Sequence, residues 1–192
     1  MDYIRKRQKN KRALILSKYI LDCRTQFYKS GEKNTTWEKS NMRNYLNGKF
    51  YDNVFTEEEK NKILEVTLAN DDNVDYLTIG GKDTVDKVFL LSISEAKKYL
   101  SPSENVDNMN QLVRAGATKG TAYAEHRLLG KFHNDKFNDY EDWQLENGFY
   151  YLRSPGCMQN RIASVEPSAT ISTSGSGGGH KGIRPAMWIE YE

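Results

Sequence analysis

Three arginines of this sequence stand in strongly patterned surroundings. Arg43 lies in Trp37-x-x-Ser40-x-x-Arg43-x-x-Leu46-Asn47, Arg153 in Leu152-Arg153-Ser154-Pro155-Gly156, and Arg184 in Gly182-Ile183-Arg184-Pro185-Ala186. A guanidinium fork can grip a carboxylate or another anion with two parallel hydrogen bonds. It can equally brace a fold, with its stem packed and its donors spent on loop carbonyls or a carboxylate. The neighbours Ser40, Asn47, Ser154 and Pro155 are capping and turn types, so the structural role is the expected one.

Other chemistry is thinner. Cys157 as a nucleophile would need a base; His180 is the candidate, and nothing in the sequence joins the two. Cys23 and Cys157 make neither a disulfide framework nor a C-x-x-C pair, and are expected to be small packed residues. His126 and His133 have no ligand spacing and are expected at the surface. Glu166-Pro167-Ser168, Asn134-Asp135 and Asn138-Asp139 offer oxygen atoms, but not the cluster that calcium requires. The run Gly175-x-Gly177-Gly178-Gly179 lacks the Gly-Lys-Ser/Thr ending of a phosphate loop and reads as a hairpin turn. No cofactor and no metal site is therefore expected.

A recognition surface is better supported. Tyr140, Trp143, Tyr150 and Tyr151 keep company with Asn, Ser, Arg and Gly, and rigid aromatics beside small polar groups bind at low entropic cost. The candidate ligand contacts are Tyr140, Trp143, Tyr151, Arg153, Arg161 and His180. Alternate members of Phe149–Leu152 must point inward, so one of Tyr150 and Tyr151, and not both, is expected outside.

A chain of 192 residues suits one domain and is long enough to need no disulfide or metal staple. Three Trp, twelve Tyr and seven Phe compensate for a low aliphatic content. Over residues 1–12, six basic side chains against Asp2 give +5, and the chain total of +2 leaves −3 on the remainder. A slightly acidic body lacks the footprint of a nucleic-acid binder. Residues 1–12 are expected to be a flexible basic tail and residues 13–192 a single domain. The apolar run Ala13–Leu16 is too short for an export signal, and no stretch reaches the ~20 apolar residues of a membrane span.

The elements that must position these residues follow from local signals. Ala13–Leu21 suits a strand. Thr35 and Glu38 have capping-box spacing ahead of a helix ended by Gly48. Thr56 and Glu59 open a second helix whose apolar side Ile63 and Leu64 would close. Ile63–Leu68 can become a strand, Asn70–Asp83 a polar loop, and Val88–Leu91 a buried strand. Ser92 and Glu95 form another capping pair before a helix over Glu95–Leu100. Thr121–Leu129 reads as a helix, Asn134–Asn147 as a loop, and Phe149–Leu152 as a strand stopped by Pro155-Gly156. Ile162–Thr173 gives one or two strands around Pro167, and Ile183–Tyr191 the last. Helices first and strands last indicate α+β.

The three arginine segments, with Val88-Phe89-Leu90-Leu91-Ser92, Glu95-Ala96 and Thr121-Ala122-Tyr123-Ala124, resemble a bacterial and phage family catalogued as domain of unknown function 6273. The resemblance runs from Ala13 onward. That family usually has a further strand before the segment matching Ala13–Leu21, where this chain has its basic tail. The Tyr-Leu-Arg-Ser strand, Gly-rich turn and Gly-x-Arg before the final strand are similar to the C-type-lectin-like folds of formylglycine-generating enzymes and of diversity-generating retroelement variable proteins. This implies a C-type-lectin-like α+β domain with Trp37, Ser40, Arg43, Leu46, Asn47, Ser154, Pro155, Gly156, Gly182, Arg184 and Pro185 as its structural motif. It also implies a non-enzymatic module for a protein or glycan ligand, with an enzyme or an assembly domain as alternatives. The paired late cysteines that would hold copper in a formylglycine-generating enzyme are not matched, because Cys157 stands alone there.

Overall fold

The computed structural model of the chain describes residues 11–23, 27–28, 35–100, 116–127, 129, 146–178 and 181–191. Among these, strands β1 (Lys11–Leu16), β2 (Ile63–Leu64) and β8 (Ala186–Tyr191) form one antiparallel sheet in the order β1-β8-β2. β3 (Val66–Leu68) pairs with β4 (Thr84–Asp86), and β5 (Tyr150–Pro155), β6 (Ile162–Val165) and β7 (Ile171–Gly175) form an antiparallel meander. The helices are short: α1 (Asn41–Tyr45), α2 (Tyr51–Val54), α3 (Glu57–Lys60), α4 (Ile93–Leu100) and α5 (Ala122–His126). The class is α+β.

The core draws on every part of the chain. Trp37, Met42 and Leu46 meet Phe27, Val88, Phe89, Leu90, Tyr150, Tyr151 and Leu152, all buried. Two of the helix starts follow the local rule. Thr56 Oγ1 accepts from Glu59 N while Glu59 Oε2 accepts from Thr56 N, and Ser92 and Glu95 repeat the exchange at 3.0 and 2.9 Å. With Ser92 as cap, α4 begins at Ile93, two residues earlier than the Glu95 expected. The hairpin between β6 and β7 turns at Pro167, with Ala169 at φ 67°.

Several expectations are corrected. Thr35 caps no helix: its hydroxyl donates to Gln159 O at 2.7 Å, a 3-10 turn at Trp37–Lys39 comes first, and α1 starts at Asn41 with Ser40 as its cap. The helical run does break at Gly48, but by a kink rather than a left-handed cap: Gly48 sits at φ −120°, ψ −108°, and the chain turns helical again into α2. Phe50 and Tyr51, just past the kink, are buried and carry the apolar face onward. Ile63 and Leu64 do not cover α3; they pair with Ile189 and Trp188 on the edge of β8. The strand expected over Ala13–Leu21 ends at Leu16, leaving single bridges from Ile20 to Gly120 and from Asp22 to Ile183. Val88–Leu91 is buried as expected, but only Phe89 bridges, to Ala186. The helix expected to reach Leu129 stops at His126. Lys11 and Arg12, counted with the tail, are paired with Tyr191 and Glu190.

Candidate functional site

The motif residues converge on braces. Asp86, fully buried at its side chain, accepts from Trp37 Nε1 at 2.9 Å, from Arg43 Nε at 2.6 Å and from Thr84 Oγ1 at 2.7 Å. Ser40 Oγ accepts from Arg43 N at 3.0 Å, and Asn47 Oδ1 accepts from Lys87 N at 2.8 Å while its Nδ2 donates to Val88 O at 2.9 Å. Leu46 is buried in the core. Arg184 donates to Ser17 O at 2.9 Å, to Gly116 O at 3.1 Å and to the Tyr150 hydroxyl at 3.2 Å, and Pro185 O accepts from Ser17 N at 3.0 Å. Gly182 N donates to Phe149 O at 2.6 Å.

Arg153 is buried rather than presented. Its Nη1 donates to Leu90 O at 2.9 Å and to Glu95 Oε2, and its Nη2 to Glu95 Oε1 and Ala69 O, both at 3.1 Å. Its place among ligand contacts is therefore corrected: these donors are spent within the fold. Tyr151 is corrected too. It is 1% exposed, its ring lies 5.4 Å from that of Phe27, and its hydroxyl donates to Ser176 O. Tyr150 is 2% exposed and donates to Gly116 O at 2.6 Å; burial raises its phenol above the ordinary value, opposed by Arg184. Neither tyrosine faces out, because β5 is covered on both faces and strand alternation loses its meaning. Arg161 is half-buried in the β5–β6 turn, its N donating to Met158 O and its O accepting from Gly156 N, each at 2.8 Å. Tyr140, Trp143, His180, His133 and the Asn134–Asp139 segment lie outside the described residues. His126 is exposed.

The Leu-Arg-Ser-Pro-Gly segment holds up a turn that the sequence reading treated only as a polar loop. Asn73 and Thr78 close it with backbone bonds of 2.9 and 3.3 Å, and both are buried. Asn73 Nδ2 donates to Pro155 O at 3.0 Å and Thr78 Oγ1 to Gly156 O at 2.8 Å. Gln159 takes Ile79 N on its Oε1 at 2.8 Å and returns Nε2 to Ile79 O at 2.9 Å. Gly156 must be glycine, since a Cβ there would meet Thr173 O at 2.1 Å. At Gly80 a Cβ would meet Asn70 O at the same 2.1 Å, so the chain leaving the turn also needs a bare backbone.

What this frame presents is apolar. Val74 is 77% exposed, Tyr76 48%, Leu77 88% and Ile79 60%. Leu77 sits at φ 54°, a left-handed conformation that costs a non-glycine residue about 1–2 kcal/mol. Asp71, Asp72 and Asp75 are exposed in the same segment. A signal existed in the sequence, four large apolar residues within a polar run, but it had no helical or strand period to mark it.

Elsewhere, Cys23 is buried with its Sγ donating to Ala124 O at 3.3 Å and Arg127 O at 3.2 Å, while the Cys157 backbone N bonds Thr173 O. Neither cysteine is in a disulfide. A buried thiol spent on two carbonyls does not fit one half of a copper pair. Among the described residues no cluster of three or more His, Cys, Asp or Glu could hold a metal ion, and no helix is long and apolar enough to cross a membrane.

The chain is thus α+β, with patterned arginines as internal braces and an exposed apolar turn at Asn73–Ile79. It belongs to the family described as Domain of unknown function (DUF6273), whose model matches residues 10–191. No curated protein and no solved structure matches it.

Proposed function

We propose that this chain is a non-enzymatic recognition module of C-type-lectin-like arrangement that binds a protein through the turn Asn73–Ile79. The observation that carries this reading is Leu77, the most exposed large apolar side chain described, held in a costly backbone conformation by buried hydrogen bonds. Strain of that kind persists where surrounding structure over-determines it, and it collects at binding sites. A pre-ordered anchor loses little entropy on docking, and each buried apolar Å² contributes about 25 cal/mol. Protein is favoured over glycan because Val74, Leu77 and Ile79 offer no hydrogen bond to a sugar hydroxyl. Small sheets with long connecting loops support the C-type-lectin-like arrangement.

Selection of a phage-displayed peptide library on the full chain tests this. Peptides enriched on the wild type are expected to lose at least about tenfold in affinity for Leu77→Asp, a change of 1.4 kcal/mol. They should keep their affinity for Val85→Asp, a substitution at another exposed apolar site. Peptides indifferent to Leu77→Asp, or binding to a glycan array with no protein ligand, would overturn the reading.

A further inference from the structure

A second concave site lies away from the turn and uses none of its residues. It is a groove of about 440 Å³ between the α1–α2 segment, α5 and the chain after β1. That volume lies within the ~300–1,000 Å³ of small-molecule sites. Three stretches distant in sequence build it. Leu21 and Asp22 come from the segment after β1, Lys49, Phe50 and Val54 from the chain just past the Gly48 kink and from α2, and Tyr123 from α5.

The polar floor of the groove is already satisfied. Asp22 Oδ2 accepts from the Tyr45 hydroxyl at 2.7 Å, and Oδ1 accepts from Cys23 N at 2.7 Å and forms an ion pair with Arg127 Nε 2.9 Å away. Burial and that carboxylate push the Tyr45 phenol well above its ordinary value, so it stays a donor to Asp22. Tyr123 is 58% exposed, and the Arg127 guanidinium lies 5.5 Å from its ring centre. The remaining walls, Leu21, Phe50 and Val54, are apolar. Lys49 is exposed at the lip and makes no hydrogen bond or ion pair among the described residues.

An apolar trough with a neutralised floor and one uncommitted cation at its edge suits a particular ligand chemistry. We propose that this groove binds an apolar carboxylate, its hydrocarbon or aromatic body against Phe50, Val54 and Tyr123 and its anion on Lys49. A free small acid and the C-terminal residue of a peptide share that chemistry.

The test is a ¹⁵N-amide titration of the full chain with 4-phenylbutyrate, its amide, acetyl-Leu-Phe acid and acetyl-Leu-Phe amide. Both acids are expected to shift the amides of Lys49, Asn53 and Tyr123. Each acid should bind about threefold to fivefold more tightly than its amide, as a partly exposed ion pair allows. Lys49→Met should erase the preference for acid over amide and leave the shifts in place, and Val54→Trp should abolish binding by filling the trough. A tighter peptide acid assigns the site to a C-terminus, and a tighter phenylbutyrate assigns it to a free acid. Equal affinity for acid and amide, an acid preference that survives Lys49→Met, shifts confined to other parts of the chain, or no shift up to about 10 mM of any compound would each overturn the proposal. None of these outcomes bears on the Leu77 turn.

Discussion

The carboxylate of Glu95 serves its own helix and Arg153 at once. Oε2 accepts from Ser92 N at 2.9 Å, closing the cap of α4, and the same carboxylate takes Nη1 and Nη2 of Arg153 from β5. Arg153 continues to Leu90 O and Ala69 O, so one ion pair ties α4, β5 and the entry to the Asn73–Ile79 turn together. Removing Arg153 leaves the Glu95 carboxylate without its cation and two carbonyls without this donor. Arg153→Ala is therefore expected to cost about 3–5 kcal/mol, with Tm falling roughly 2–4 °C per kcal/mol. Arg153→Lys should recover only part of this, because an ammonium cannot reproduce the fork. Wild-type melting of Arg153→Ala would show that the ion pair is not a brace.

At Leu77, stability and recognition should move in opposite directions. Its side chain is 88% exposed, so Leu77→Gly gives up no packing and relieves a left-handed φ of 54°. The relief of about 1–2 kcal/mol is offset by about 0.5–1 kcal/mol of extra chain entropy in the unfolded state. Urea denaturation should find Leu77→Gly as stable as the wild type or up to about 1.5 kcal/mol more stable, while peptides selected on the wild type lose affinity. A clear loss of stability would show that Leu77 is packed.

The foundation of the turn can be loosened separately. Asn73→Ala removes the bond to Pro155 O, a buried acceptor. Leaving such a group unpaired costs about 1–3 kcal/mol. Limited proteolysis should then cut within residues 74–78 faster than in the wild type, with the first cleavage read by mass. Unchanged cleavage would mean that the backbone pair Asn73–Thr78 suffices by itself.

What the sequence made legible was local. Thr56 with Glu59 and Ser92 with Glu95 close real caps, because a capping box needs only four residues. Around Pro167 the sequence allowed one or two strands, and the β6–β7 hairpin makes it two. What escaped depends on contacts made across the chain. Nothing local showed that Thr35 would be tied to Gln159, or that the chain would turn helical again past Gly48 with Phe50 and Tyr51 buried. Tyr150 and Tyr151 were split by strand alternation, which fails where both faces of a strand are covered. The turn at Leu77 escaped because exposed apolar residues carry no period, and the groove because Asp22, Lys49 and Tyr123 meet only in the fold.

A pH dependence follows from Lys181. Burial lowers the pKa of its ammonium, with Glu166 acting in the opposite direction, and its Nζ lies 4.9 Å from the centre of the Phe149 ring. The charged form is thus disfavoured in the folded state relative to the unfolded chain. Below the folded pKa both states hold the proton, and the folded state carries the full cost of a desolvated charge. As pH rises from the folded pKa toward the unfolded value of about 10.4, the folded state releases its proton first. The unfolded state then binds more protons, so stability rises with pH over that window. Lys181→Met removes the charge at every pH. Its advantage over the wild type in urea denaturation should be largest at neutral pH and shrink as pH approaches about 10.4, leaving only the constant gain from the apolar methionine. A stability gap independent of pH between 7 and 10.4 would show that Lys181 is solvated in the folded protein, and a wild type more stable at pH 7 would show that its contact with Phe149 outweighs the burial of its charge.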